Sequence, residues 1–345
     1  MKALPHHPPL AKDWIDQPHQ VMELGDITLE SGQRLEQAHL SYVIHGQLSA
    51  ARDNVILALP AIGSTHHRLD FLIGPGKALD TNRWCIVCTD TWGNGLASSP
   101  SNSLSQPLWG FPHFSIRDMV QGQASLLDAL GIPNLAAVVG ASMGGMQALQ
   151  WAVLFPHRMR RVVAMTPMAK TTPWAQAVNE ISRQILQLTP GQDEVFDPQR
   201  WRAWSGLMQG LAGRTPLAFD RMFSQPGQVH AFLRTRADAQ VSSGMHPIDW
   251  WYQTLAYDAH DVGNTPGFEG DTQRALQSIQ AATLVIGPEL DLYNPASAWQ
   301  WLVRHIPNAR GATIPSDMGH QSASNVMPDD TVFLEAQISQ WLAGV

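Results

Sequence analysis

The stretch Leu135-Ala-Ala-Val-Val-Gly-Ala-Ser-Met-Gly-Gly-Met-Gln-Ala-Leu-Gln-Trp-Ala152 decides the fold. Leu135 to Val139 is an unbroken apolar run of strand length, and Met146 to Ala152 follows as a helix. Between them lies Gly140-Ala-Ser-Met-Gly144, which places Ser142 on a tight turn from strand to helix. Gly140, Gly144 and Gly145 let the two elements approach closely, and the serine hydroxyl is then exposed beside the positive end of a helix. As a bare pattern G-x-S-x-G is weak. A glycine-rich turn with an incidental serine would not need the strand before it and the helix after it.

Outward from this turn, other short apolar runs lack polar alternation: Val55 to Leu59, Trp84 to Cys88, Arg161 to Met165 and Ala282 to Ile286. Such runs suit strands buried on both faces, so the sheet is predicted to be mostly parallel. Between two of them, residues 115 to 130 place Ile116, Met119, Val120, Gln123, Leu126, Leu127 and Leu130 at helical intervals before Gly131 and Pro133 stop the helix. Strand, helix and strand in succession predict right-handed crossovers and an α/β fold. From about Pro167 to Gln280 the sequence turns helical and rich in tryptophan, with Trp174, Trp201, Trp204, Trp250 and Trp251. The expected organisation is therefore a core of residues 1–166 and 281–345 interrupted by a helical lid at 167–280.

Composition narrows the function. The chain has 345 residues, 44% hydrophobic and 15% charged, enough to bury a large core. Its formal charge of -7, with no basic run, speaks against a grip on nucleic acid. The N-terminal MKALPHHPPLAKDWIDQPH has Pro and His where a secretory signal needs an apolar stretch, and no run is long enough to span a bilayer, so a cytoplasmic protein is expected. Cys85 and Cys88 lie within a strand-like run and have no second Cys pair, which favours buried thiols over a metal or redox site.

A serine hydroxyl becomes a nucleophile only with a base, and the base needs an orienting acid. In the order serine, acid, histidine, the acid follows a late strand: Asp291 in Gly287-Pro-Glu-Leu-Asp-Leu-Tyr293 fits, with Glu289 as competitor and Asp317 a weaker one. His320 in Ser316-Asp-Met-Gly-His320 is the base; His66 and His67 precede Ser142, and His260 lies in the insertion, where His260-Asp261 is expected to be a contact between lid and core. Two backbone amides must hold the oxyanion. They are assigned to Met143, next to the nucleophile, and to Ala61, with Ile62 the alternative, in the loop Leu59-Pro-Ala-Ile-Gly-Ser64.

These residues resemble the homoserine O-acetyltransferase-like branch of the α/β-hydrolase fold. Similar stretches are Ile73-Gly-Pro-Gly-Lys-Ala-Leu-Asp80, Ile116-Arg-Asp-Met-Val120, Leu126-Leu-Asp-Ala-Leu-Gly131, Gly140 to Ala152 and His260-Asp-Val-Gly263. The resemblance implies a triad of Ser142, Asp291 and His320, a helical lid over the site, and a homodimer contacting through that lid.

Two departures bear on the substrate. Family members that use homoserine carry an Asp directly after the histidine, where this chain has Gln321, and an Arg on a lid helix, where the register Trp201-Arg-Ala-Trp-Ser-Gly-Leu-Met208 puts Ser205 or Gly206. A desolvated zwitterion needs a charged partner at each end. The resemblance also extends to members that hydrolyse simple acetates, and Ile62, Gln321, Trp204 and Trp250 are candidates for an apolar pocket. The expectation is thus a serine esterase acting on acetate-type esters of small uncharged alcohols, with neither metal nor organic cofactor. The alternatives are an O-acetyltransferase moving acetyl from acetyl-CoA to homoserine or another alcohol, and a non-catalytic ligand-binding member.

Overall fold

The apolar runs form the centre of one sheet. In the computed structural model, which describes residues 7–190 and 197–344, the strands are β1 (Gln20–Thr28), β2 (Arg34–His45), β3 (Val55–Leu59), β4 (Cys85–Thr89), β5 (Leu135–Ala141), β6 (Met159–Met165), β7 (Ala282–Pro288) and β8 (Ala309–Ile314). They pair in the order β1-β2-β4-β3-β5-β6-β7-β8. β1 with β2 and β2 with β4 are antiparallel, and every other pair is parallel. The hairpin β1–β2 and the edge strand β8 have no counterpart among the apolar runs. β1 exposes residues along its length, β8 buries only Ile314, and the buried run of β2, Leu40 to Val43, is interrupted by the polar Ser41.

Successive residues of the central strands pack on opposite faces. Leu57, Val138, Val162 and Val285 join one apolar cluster, while their neighbours Ile56, Val139, Val163 and Leu284 join the other. Helices α1 (Ile116–Ala129) and α2 (Met143–Leu154) cover the first face. Ser115 caps α1 through the Asp118 amide, and the Asp118 carboxylate returns the bond to the Ser115 amide.

Between β6 and β7 the described residues form α3 (Pro173–Leu186), α4 (Pro198–Ser205), a π-helical turn at Gly206–Ala212, α5 (Pro216–Met222), α6 (Gln228–Val241), α7 (Pro247–Asp258) and α8 (Thr272–Gln277). α9 (Ala296–His305) and α10 (Pro328–Leu342) complete the chain, and Leu334, Ile338 and Leu342 of α10 cover the second face. Pro opens α3, α4, α5 and α7, where its missing N–H is not needed and its fixed φ suits the first turn.

α7 ties this helical segment to the core. Buried Asp249 accepts bonds from the Ser101 amide at 3.0 Å and hydroxyl at 2.5 Å. Burial raises the Asp249 pKa from 3.8 to about 7. The folded state thus holds this proton more tightly than the unfolded chain, and stability falls as pH rises from about 4 to about 7, then levels off. Asp249→Asn keeps an acceptor for the Ser101 amide and cannot ionise. It is expected to remove that slope, worth on the order of 4 kcal/mol at most, so that the variant gains Tm over the parent at pH 8 but not at pH 4. Equal Tm differences at the two pH values would refute this assignment.

Candidate active site

Ser142 sits where β5 ends and α2 begins, with φ 56° and ψ -121°. A non-glycine residue rarely adopts a positive φ, and this one is held there by its surroundings. A Cβ on Gly140 would lie 2.2 Å from the Gly144 carbonyl oxygen, and one on Gly144 would lie 2.5 Å from that of Leu59. The small residues around the serine are therefore required by backbone contacts with the helix and with the loop after β3.

The loops after β7 and β8 bring the other two groups to this turn. His320 Nε2 is 2.9 Å from Ser142 Oγ, and His320 Nδ1 is 2.8 Å from Asp291 Oδ2. Asp291 Oδ1 accepts the amides of Tyr293 at 2.8 Å and Asn294 at 2.9 Å, which fixes the carboxylate in one orientation. Glu289 is exposed, and Asp317 pairs with Arg221 at 2.6 Å, so neither competitor joins the chain. Such a relay can take the serine proton onto an imidazole whose other nitrogen faces an anion.

The helix N-terminus leaves the Met143 amide without an intrahelical partner. Across from it, Ala61 and Ile62 line the cavity beside Ser142, whereas the Gly63 amide is occupied by Gln253 Oε1 at 2.8 Å. This loop is braced from below: Gln147 Nε2 donates to the Pro60 carbonyl at 3.1 Å, and Gln147 Oε1 accepts from Gln123 at 2.6 Å.

The site opens into a cavity of about 910 Å³ lined by Ser142, His320, Ile62, Gln321, Trp204 and Trp250, among others. Trp204 stacks on Trp201 at 4.2 Å and meets Trp250 edge to face at 4.7 Å. Gln321 donates its amide to the Gly213 carbonyl at 3.0 Å, linking the turn that carries His320 to the insertion.

Several residues of the site carry no motif that marks them in the sequence. Tyr257 from α7 donates to Asn294 Oδ1 at 2.6 Å and also lies within hydrogen-bond reach of Ser142. Burial drives its pKa well up and keeps the phenol protonated. Arg214, between the π-helical turn and α5, lines the cavity at 2% exposure. Its Nη1 donates to the Gln209 carbonyl, its guanidinium lies 5.0 Å from the centre of the Phe232 ring, and its Nε has no partner among the described residues. Burial, and then the neighbouring Arg236, lower its pKa to about 10. The one signal for it is a lone charge in the otherwise uncharged stretch Trp204 to Phe219.

His260 and Asp261 stand apart from the relay. His260 is buried, with its pKa lowered by desolvation to about 4, and its carbonyl accepts the Thr171 amide at 3.0 Å. Asp261 pairs with Lys170 at 3.0 Å. Cys85 and Cys88 are free and buried in β4, and desolvation raises both thiols.

A serine on a strand-to-helix turn, with Asp and His on later loops of a mostly parallel sheet, defines an enzyme of the α/β-hydrolase class. Residues 54–320 match the family model of the alpha/beta hydrolase fold. The chain is 33% identical to the homoserine O-acetyltransferase of Symbiobacterium thermophilum, over 78% of this chain and 79% of that one. It is 31% identical to that of Clavibacter michiganensis subsp. michiganensis, over 86% of each. The solved structure of the acetyl esterase MekB superposes with a TM-score of 0.86 at 27% identity, covering 94% of this chain and 97% of that one. The chain thus belongs to the homoserine O-acetyltransferase branch of the α/β-hydrolase family.

These relatives overturn the expectation of an esterase for uncharged alcohols, since homoserine O-acetyltransferases match most of the chain at about a third identity. The expectation rested on two departures, Gln321 directly after the histidine and the absence of a lid arginine at Ser205 or Gly206. Ser205 is indeed buried and Gly206 opens the π-helical turn, but the chain supplies a buried guanidinium on the cavity wall after that turn, at Arg214. Among the described residues no helix is long and apolar enough to cross a membrane.

Proposed function

We propose that this chain is an O-acetyltransferase that carries an acetyl group from acetyl-CoA, through Ser142, to the hydroxyl of homoserine. The observation that carries the reading is the hydrogen-bonded chain Ser142–His320–Asp291 opening into a cavity whose wall holds a buried arginine. The relatives that bear the name homoserine O-acetyltransferase support it.

In this mechanism His320 Nε2 takes the Ser142 proton as Oγ attacks the thioester carbonyl, and Asp291 stabilises the imidazolium. The amides of Met143 and of Ala61 or Ile62 hold the oxyanion; Gly63 is excluded because its amide is already bonded. Coenzyme A leaves as a thiol with the proton from His320. The acceptor hydroxyl then gives its proton to His320, attacks the acetyl-enzyme, and departs as the ester while Ser142 recovers its proton.

Arg214 answers the acceptor carboxylate, because a buried cation gains most from an anion that shares its dry environment. Gln321 offers an amide oxygen toward the ammonium group, a weaker partner than a carboxylate. The direct experiment follows coenzyme A release with and without homoserine and identifies the product by mass spectrometry. Release that homoserine does not accelerate beyond the rate in water would refute the reading. Arg214→Gln is expected to raise the KM for homoserine on the order of 10- to 100-fold with a smaller effect on kcat, the loss of a hydrogen bond to a charged group. Equal KM values in the two proteins would remove Arg214 from the acceptor site.

A further inference from the structure

Four imidazoles converge at one edge of the cavity, apart from the Ser142 relay. His66 and His67 open the 3-10 turn His66–Leu72 after β3, and His7 and His19 come from the segment before β1. His66 Nδ1 faces Asp90 Oδ2 at 3.1 Å, His67 Nδ1 faces Asp70 Oδ2 at 2.6 Å, and His7 Nδ1 faces the Pro8 carbonyl at 2.6 Å. Carboxylate and carbonyl oxygens only accept, so Nδ1 carries the proton in each of these rings and a neutral ring presents Nε2 as a lone pair.

Those Nε2 atoms point at one another. His7 Nε2 is 3.1 Å from His67 Nε2, and His19 Nε2 is 2.9 Å from His66 Nε2. Ligand atoms of His7, His19 and His66 all lie within 4.8 Å of one another. His7 and His67 thus meet lone pair to lone pair, a contact that repels unless a cation lies between them, whereas His19 Nδ1 lies 3.4 Å from the Ser41 hydroxyl and its Nε2 faces the His66 lone pair. Rings whose far nitrogen donates to a carboxylate or carbonyl are held as metal-ligating histidines are held.

We propose that His7, His19 and His66 bind a divalent first-row transition ion of the Zn2+ type, with His67 packed against His7 outside this three-ligand group. An all-imidazole set selects Zn2+, Cu2+, Ni2+ or Co2+ over the oxygen-seeking Mg2+ and Ca2+. Tetrahedral zinc with Zn–N bonds of about 2.0–2.1 Å spaces its nitrogens by about 3.3 Å, so the His19–His66 pair opens by a few tenths of an ångström and His7, within 4.8 Å of both, closes to that spacing. The ion would fasten the N-terminal segment to the turn that follows the oxyanion loop. That segment supplies Pro8, Pro9 and Ala11 through Trp14 to the cavity wall. Trp14 stacks on His67 at 4.2 Å, and the Ile15 amide bonds Asp70 Oδ2 at 2.8 Å, so the same carboxylate orients both His67 and the strap.

The test uses the full chain, stripped with EDTA, reloaded with Zn2+ and desalted before its metal content is measured. About one zinc per chain should be retained, Tm should rise with Zn2+, and Co2+ should give the visible bands of a four-coordinate site. His19→Gln and His66→Gln should each lose the retained zinc and the Tm shift, while His157→Gln on the exposed surface should keep both. His19 is only half-buried and belongs to the strap, so its variant tests ligation even if His66→Gln fails to fold. Substoichiometric zinc on the parent chain, or undiminished zinc on His19→Gln, overturns the proposal.

Discussion

Ser142→Ala is expected to lower acetyl transfer by about 10^4- to 10^6-fold while leaving the fold intact. Alanine keeps the Cβ that the strained turn already accommodates, so the positive φ and the close contacts of Gly140 and Gly144 are unchanged. What disappears is the Oγ that stands 2.9 Å from His320 Nε2. The donors of the oxyanion loop and the helix N-terminus remain, and they set the residual rate. Incubation with acetyl-CoA followed by intact-mass analysis should show an acetyl adduct on the parent enzyme and none on the variant. A variant that retains more than about a tenth of the rate would mean that acetyl moves directly from donor to acceptor, without an acyl-enzyme.

Asp291→Asn is the second large effect, on the order of 10^4-fold in kcat. The reason lies in the second carboxylate oxygen. Oδ1 is bonded by the amides of Tyr293 and Asn294, so an asparagine must place its carbonyl there and turn its NH2 toward His320 Nδ1. A donor in that place forces Nδ1 to accept and puts the imidazole proton on Nε2, facing a serine it can no longer deprotonate. Glu289→Gln and Asp317→Asn serve as controls and should stay within about twofold, since the first is exposed and the second pairs with Arg221. Loss of activity in Glu289→Gln together with an active Asp291→Asn would assign the acid to the wrong residue.

Most of the relay was legible because each part depends on local chain chemistry. The turn at Ser142 needs small residues at fixed offsets between a strand and a helix, and the sequence displays all of them. The central strands announce themselves by unbroken apolar runs, because both faces are covered. The edges were not legible for the converse reason. β1 and β8 face solvent over most of their length and keep no periodic signature.

The buried arginine of the cavity wall was not legible, because a register argument looks for such a charge at one helix position. Whether a residue of the insertion reaches the cavity depends on how the π-helical turn at Gly206–Ala212 rotates the chain beyond it, and no local pattern encodes that rotation. Arg214 therefore looks like any other arginine until the packing of α6 places Phe232 against it and the Gln321 amide fastens Gly213 beside it. The histidine cluster obeys the same rule. His7, His19 and the pair His66–His67 are ordinary residues in separate stretches of chain, brought together only when the N-terminal strap crosses the turn after β3.

By itself, then, the sequence determined the sheet's buried centre, the strained serine turn and the order of serine, acid and base, all set by interactions between near neighbours or by burial on both faces. Only the tertiary structure decided that Arg214 is buried on the cavity wall and which histidines meet, because those contacts join residues far apart in the chain through the orientation of whole elements.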